Sequence, residues 1–352
     1  MARLDQLFVE LKERGASDLH LSADYPPLLR LKGDLVPLKM GPVPHAQLKQ
    51  LIFEIMTPDQ IALAEKNWDL DFAYALEGVA RFRANVFFNQ RGIGAVFRII
   101  PTEIKRLDDM NLPASIKKLS ELEKGMVLVT GPTGSGKSTT LSAMINHINE
   151  NREAHIITIE DPIEFVHPPK KCLVTQREVH WHAKSFSSAL RAACREDPDV
   201  ILVGEMRDYE TISLALSAAE LGVLVFGTLH TNSAGRTIER IIDVFPTEAQ
   251  AQARTQLADS LKGVVAQQLI KTMDGKGRVA AHEIMVGGPA LANIIREGKT
   301  TQVSSYIQTG LSEGMQLMDH SLFHLAQTGK IDKTEALLRA ADKKMFDAKT
   351  EG

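Results

Sequence analysis

MVLVTGPTGSGKSTT, residues 126–140, decides how this sequence folds. An apolar run, Met126 to Val129, leads directly into a glycine-rich turn, and helical spacing follows at Leu141, Met144, Ile145 and Ile148. Residues 131–138 fit the pattern GxxxxGK[ST] between a strand and a helix, the context in which a phosphate-binding loop works. In such a loop Gly131, Gly134 and Gly136 let backbone N–H groups wrap a polyphosphate, with Pro132, Thr133 and Ser135 completing the turn. Lys137 brings a cation to the β and γ oxygens, Ser138 can ligate Mg²⁺, and Thr139 continues into the helix. A chance glycine-rich turn would lack this strand-loop-helix setting.

The same texture recurs downstream. Ile156 to Ile159, Val200 to Val203 and Val223 to Phe226 are short, wholly apolar runs alternating with helical stretches, as a parallel sheet covered on both faces requires. Each ends in a polar cluster: Glu160-Asp161, Gly204-Glu205 and Thr228-Leu-His230. Ligands of open α/β sheets sit beyond the carboxyl ends of the strands, so four such clusters predict one shared site. Further on, Thr247-Glu-Ala-Gln250 reads as a capping box opening a long helix, and the remainder after an Asp274-Gly275 turn reads as mostly helical.

Upstream the pattern is different. Leu4, Leu7, Phe8 and Leu11 have helical spacing that stops at Gly15. Extended segments begin at Asp18, and residues 29–38 read as a hairpin turning at Gly33-Asp34. Helical spacing at Leu48, Leu51, Ile52 and Ile55 is expected to end near Thr57-Pro58. Ala80 to Phe88 and Ile93 to Ile100 form a second hairpin. The expected organisation is an α+β domain over residues 1–100, a charged linker over 101–112, and an α/β domain with a mostly parallel sheet over 113–352.

Composition bounds the function. Of 352 residues, 41 are basic and 44 acidic, a formal charge of −3 that argues against a polycation built for nucleic acid. No apolar run approaches the length of a membrane span, and charges interrupt what would be a signal region, so a membrane role is expected to be peripheral. Two cysteines, Cys172 and Cys194, supply no CxxC site and fit a reducing, cytoplasmic compartment.

Asp199-Val-Ile-Leu-Val-Gly-Glu205 reads as a strand delivering a carboxylate, Glu205, to the Mg²⁺ side of the phosphates. Glu160, ending the preceding apolar run, offers a second carboxylate to polarise the attacking water. His230 stands where a side chain could sense the γ-phosphate, although a lone histidine is more often structural. His180/His182 and His320/His324 have metal-like spacing but no obvious third ligand. In the second hairpin, a turn centred between Gln90 and Arg91 sets Arg83 opposite Arg98. Like charges so opposed are destabilising, and an anion between them would explain the pairing.

Segments spread over nearly the whole length resemble the secretion ATPases of type IV pili and type II secretion, most closely their pilus-retraction branch. They are Ser17-Asp-Leu-His-Leu21, Arg81-Phe-Arg-Ala-Asn85, residues 131–139, Ile157 to Glu164, Arg195 to Asp208, Gly227-Thr-Leu-His-Thr231 and Gly314-Met-Gln316. The resemblance implies a PAS-like first domain, a RecA-like P-loop ATPase domain, ATP and Mg²⁺ as cofactors, and a homo-hexameric ring with ATP between subunits. It also implies Glu160, Glu205 and His230 in catalytic boxes, with Arg83 and Arg98 reaching the nucleotide. Implied partners are the inner-membrane platform protein of the pilus machine and, for a paralogue, a second ATPase. Two positions depart from the pattern: Val223, where a second histidine is common, and Ala292, where Ala290 to Glu297 loses an arginine tied to retraction. Assembly motors of the superfamily usually carry a four-cysteine metal site, which two cysteines cannot build. The leading expectation is therefore a retraction ATPase; an ATP-binding accessory protein, an assembly or secretion ATPase and a DNA motor are the other readings.

Overall fold

The computed structural model describes residues 2–31, 33–100 and 103–343. The chain divides into two compact units, Met1–Glu103 together with Pro162–Val166, and Ile104–Asp161 together with His167–Gly352.

The first unit opens with helix α1 (Asp5–Glu13) and strands β1 (Asp18–Ser22), β2 (Leu28–Leu31) and β3 (Asp34–Pro37). Helices α2 (His45–Phe53) and α3 (Pro58–Asn67) follow, then strands β4 (Asp69–Leu76), β5 (Ala80–Asn89) and β6 (Gly92–Ile100). The strands make one antiparallel sheet in the order β3-β2-β1-β6-β5-β4. Phe8 of α1 stacks on Phe82 at 4.4 Å and meets Phe97 edge-on at 4.9 Å, so the helix seals the apolar side of the central strands. Aromatic pairs of this kind add about 0.5–1.5 kcal/mol to the area they bury.

Two elements differ from the expectation. The helix around Leu48 stops at Phe53, and Thr57-Pro58 opens a second helix instead of closing the first. There the Thr57 hydroxyl accepts from the Gln60 amide, the Gln60 side chain accepts from the Thr57 amide, and Pro58 occupies the first turn. Strand β4 was also hidden, because its alternation of Asp69, Asp71, Ala73 and Ala75 against Leu70, Phe72 and Tyr74 is weakly apolar.

In the second unit the stretch expected as a linker is partly ordered, with a 3₁₀ turn at Leu107–Met110; residues 101 and 102 of it, and residues 344–352 of the expected second domain, lie outside the described residues. Helix α4 (Ala114–Ser120) leads to β7 (Gly125–Thr130), α5 (Lys137–Asn151), β8 (His155–Glu160), β9 (Leu173–Glu178), α6 (Phe186–Ala193) and β10 (Val200–Val203). Next come α7 (Tyr209–Glu220), β11 (Leu224–Leu229), α8 (Ala234–Asp243), α9 (Gln250–Ser260), β12 (Leu261–Lys271) and β13 (Arg278–Val286). Helices α10 (Pro289–Arg296), α11 (Val303–Thr309), α12 (Met318–Gln327) and α13 (Lys333–Arg339) complete the unit. The sheet order is β13-β12-β7-β11-β10-β8-β9, with only β13 antiparallel to its neighbour. Strands β7, β10 and β11 are buried at every position, consistent with helices on both faces.

The capping box expected at Thr247 does not form. Pro246 takes the extended cap position, so Thr247 falls inside a 3₁₀ turn and the helix begins only at Gln250. Nor is the helix long, because residues 261–271 turn into strand β12. Asp274-Gly275 does turn the chain, but as the bend of a β-hairpin that pairs Lys271 with Arg278, so one further strand precedes the helical C-terminal part. Among the described residues no helix is long and apolar enough to cross a membrane.

Two buried histidines, His167 and His282, make stability pH-dependent. Burial holds both pKa values down to about 4. Between pH 4 and 6.5 the unfolded chain therefore binds more protons than the folded one, so stability is full above about pH 6.5 and falls as the pH drops. The expected loss between pH 7 and pH 5 is about 2 kcal/mol per histidine. Urea unfolding followed by circular dichroism at both pH values, for the unaltered protein and for His282→Leu, checks it, since buried Glu283, its pKa raised, works in the opposite direction; the same pH dependence in both proteins would contradict the burial.

Candidate nucleotide site

Strand β7 ends at Thr130 and the chain immediately enters the glycine loop. Gly131, Gly134 and Gly136 have φ of +142°, +79° and +88°, values that a side chain strains. Space restricts two of them further. A Cβ on Gly131 would lie 2.3 Å from the Gln267 carbonyl oxygen, and one on Gly136 would lie 2.8 Å from Gln267 Nε2. Gly136 is the N-cap of α5 and offers no side-chain cap, so the first-turn amides are left for an anion. Lys137 Nζ donates to the carbonyls of Gly131 at 2.8 Å and Pro132 at 3.2 Å, which keeps its ammonium folded over the loop. The Thr130 and Ser135 hydroxyls are buried without a hydrogen-bond partner among the described residues. Close-packed glycines, a helix N-terminus and a cation together fit a polyphosphate.

The carboxyl ends of four adjacent strands line up beside this loop. In sheet order they carry the phosphate loop on β7, His230 after β11, Glu205 after β10 and Glu160 at the end of β8. With neighbouring strands about 4.8 Å apart, that row spans about 14 Å, comparable with an extended triphosphate and its surroundings. Register keeps the ends level: Thr130 pairs with Leu229, Gly227 with Val203, and Val203 with Ile159.

Within the row, His230 Nε2 lies 3.1 Å from Glu205 Oε1, and Arg207 Nη2 donates to Glu205 Oε2 at 2.6 Å. Burial alone would raise the Glu205 pKa, but the hydrogen bond and charge of Arg207, with His230, outweigh it and the net shift is downward. Glu205 is thus an ionised carboxylate. Its oxygens, like the Ser138 hydroxyl of the loop, are of the hard donor type that Mg²⁺ takes. Glu160 Oε1 accepts from Thr158 Oγ1 at 2.6 Å and from Gln176 Nε2 at 3.2 Å, which fixes one of its oxygens. Arg207, Thr158 and Gln176 were not singled out in the sequence. Arg207 was detectable as the nearest cation to Glu205 in the chain, whereas Gln176 lies on β9, a strand with no clear apolar signature.

Arg83 and Arg98 belong to the first unit, and they are directly opposed across β5 and β6, as the turn geometry predicts. The inference that an external anion must separate them is not required. Arg98 Nε donates to Asp18 Oδ1 at 2.7 Å, Arg30 lies 3.9 Å from the same carboxylate, and Arg83 Nη2 lies 3.7 Å from Asp71. Resident carboxylates therefore already relieve the repulsion. Asp18 is buried, which works to raise its pKa, but the Ser17 hydroxyl and Arg98 prevail and hold it below the usual carboxylate value. Both arginines stay accessible, with side chains 46% and 69% exposed, and Arg81 is the more buried neighbour.

A cavity of about 1390 Å³ adjoins the loop at Gly136 and Thr139 and extends between Arg278, His282, His320 and Lys330. His320 and His324 line it, while His182 Nδ1 accepts from the Glu178 amide. Among the described residues no three His, Cys, Asp or Glu side chains gather as a metal site.

The profile of the type II/IV secretion system protein family matches residues 2–348. The chain is 53% identical over 337 residues to the type IV pilus retraction ATPase PilT of Pseudomonas aeruginosa, covering 96% of this chain and 98% of the relative. It is 39% identical to the type IV pilus ATPase PilU of the same organism, covering 96% and 88%. A crystal structure of the pilus retraction motor PilT with bound ADP superposes with a TM-score of 0.91 at 44% identity, covering 99% of both chains.

The loop geometry separates two alanine substitutions. Gly134 faces open space, so Gly134→Ala should cost about 1–2 kcal/mol from its positive φ alone. Gly131→Ala adds a collision with the β12 backbone and should cost more, with loss of ADP binding. Urea midpoints and fluorescent-ADP titration of both variants check this; equal behaviour would contradict the close approach.

Proposed function

The chain belongs to the type II/IV secretion system protein family, and from that premise we propose that it is a hexameric, Mg²⁺-dependent ATPase motor that retracts type IV pili. The observation that carries the reading is the row of strand ends, which sets a phosphate loop, a histidine and two carboxylates along one sheet edge. Fold alone would not suffice, since related sheets host many activities.

In this reading the triphosphate of ATP lies against the loop amides, and Lys137 leaves the Gly131 and Pro132 carbonyls for the β and γ oxygens. Ser138 and Glu205 hold Mg²⁺, which supplies neutralising charge to the phosphates. Glu160, whose Oε1 accepts from Thr158 and Gln176, orients and polarises the attacking water. His230 touches Glu205 directly and so reports the state of the γ-phosphate side to α8, which begins four residues later at Ala234. Arg83 and Arg98 supply positive charge to the transition state, and movement of the first unit that brings them in couples turnover to work. The nucleoside occupies the cavity beyond Gly136 and Thr139. The motor acts in the cytoplasm against the inner-membrane platform protein of the pilus machine, with no nucleic acid involved. The 53% identity to a protein named as a retraction ATPase favours the motor over the accessory reading.

Steady-state phosphate release from the purified protein tests this. Lys137→Ala and Glu205→Gln should each lower turnover on the order of a hundredfold or more, and EDTA should abolish it. Removing Arg83 or Arg98 should reduce kcat by at least about tenfold while ADP affinity changes less. Unchanged turnover in Lys137→Ala would overturn the assignment, and negligible turnover in the unaltered protein would favour the accessory reading.

A further inference from the structure

Gln267, on β12, is 3% exposed and touches the phosphate loop from behind. Its Nε2 donates to the Ser135 carbonyl at 2.7 Å, while its Oε1 accepts from Thr140 Oγ1 at 2.8 Å and lies 3.2 Å from His282 Nε2. These contacts fix the amide's orientation. The Ser135 carbonyl can only accept, so the NH₂ group must face it, and Oε1 must face the hydroxyl and the imidazole. His282 therefore donates from Nε2; burial, which keeps it neutral down to about pH 4, is compatible with that tautomer. The imidazole's own residue is held to the C-terminal part of the unit: the His282 amide donates to Ser321 Oγ at 3.1 Å, and Gln316 Nε2 donates to the His282 carbonyl at 3.0 Å.

The direction of one peptide group is set by these bonds. In a trans peptide the C=O of one residue and the N–H of the next point opposite ways. Because the Ser135 carbonyl is drawn toward β12, the Gly136 N–H is turned away from β12, the side on which the nucleotide-binding reading puts a phosphate oxygen. Gly136 itself packs so closely on Gln267 Nε2 that no side chain fits between them.

Resting on the nucleotide-binding reading above, we infer that Gln267 is a positioning residue for phosphate recognition: it orients the Ser135–Gly136 peptide and ties it, through His282, to α12. No loop motif contains it. Gln267 lies 132 residues beyond Ser135 in sequence and reaches it only because β12 pairs with β7.

The test compares Gln267→Leu and Gln267→Glu in the full-length protein by fluorescent-ADP titration. Gln267→Leu should weaken ADP binding on the order of tenfold at every pH, by loss of a buried hydrogen bond, and should raise KM for ATP more than it lowers kcat. Gln267→Glu carries its own control. At pH 8.5 a carboxylate would face the Ser135 carbonyl and affinity should fall by at least as much; at pH 6 the protonated acid can donate again and affinity should return toward that of the unaltered protein. In the unaltered protein His282, the titratable side chain in contact with this amide, stays neutral throughout that range; because a carboxylate at 267 would raise its pKa, the Gln267→Glu titration is also read with His282→Phe, where the proton can reside only on the acid. A substitution that merely loosened the core would show no such recovery. Affinity in Gln267→Leu equal to that of the unaltered protein, or pH-independent affinity in Gln267→Glu, would overturn the positioning role alone. Failure of the unaltered protein to bind ADP would overturn the nucleotide reading and this inference with it.

Discussion

Parallel pairing of β7, β11, β10 and β8 in level register is the constraint on which everything else in the second unit depends. A parallel ladder forces all four strands to finish on the same edge, and a functional group stands at or just after each end: the phosphate loop, His230, Glu205 and Glu160. The strands themselves carry little polarity, since every residue of β7, β10 and β11 is buried. Chemistry is thereby confined to the residue or two after each strand, and the order of strands across the sheet becomes the order of functional groups along the edge. A one-strand change in that order would separate His230 from Glu205, now 3.1 Å apart.

Charge is balanced at both places where it is concentrated. Glu205 lies between Arg207 and His230, and Asp18 lies between Arg98 and Arg30. In each case a partly or fully buried carboxylate stays ionised because its partners, the Ser17 hydroxyl and Arg98 at Asp18 and the cations at Glu205, outweigh the desolvation that opposes ionisation. For the proposed motor such arrangements matter because paired charges can exchange partners: a carboxylate released from an arginine is free to take a metal ion, and an arginine released from a carboxylate is free to meet a phosphate. Lys137 is held in the same exchangeable way by two carbonyls.

Much of this was legible in the sequence because the chemistry sits in short motifs whose local structure is stereotyped. The phosphate loop, the carboxylates after β8 and β10, and the opposed Arg83 and Arg98 all follow from spacing within 15 residues. What was not legible depends on contacts between distant segments. Gln267 reaches the loop only through pairing of β12 with β7, and nothing in Val265-Ala-Gln-Gln-Leu269 distinguishes the inward glutamine from its neighbour. The carboxylate partners of Arg83 and Arg98 come from β4 and β1, so an anion was expected where the sheet supplies its own. Thr57 and Thr247 illustrate the limit of cap signals. Both are threonines beside a proline with Gln three residues on, but Pro58 follows the first and Pro246 precedes the second, which moves Thr247 off the cap position.

The claim that ATP turnover at this sheet edge drives pilus retraction is tested most directly in living cells of the source organism, by labelling pilin and filming individual pili in a strain that carries Glu205→Gln in place of the native gene. The account predicts that pili are still assembled and extend, that they accumulate on the surface, and that retraction events and twitching disappear while the altered protein remains present at its normal level. Pili retracting at the normal frequency and speed in that strain would contradict it.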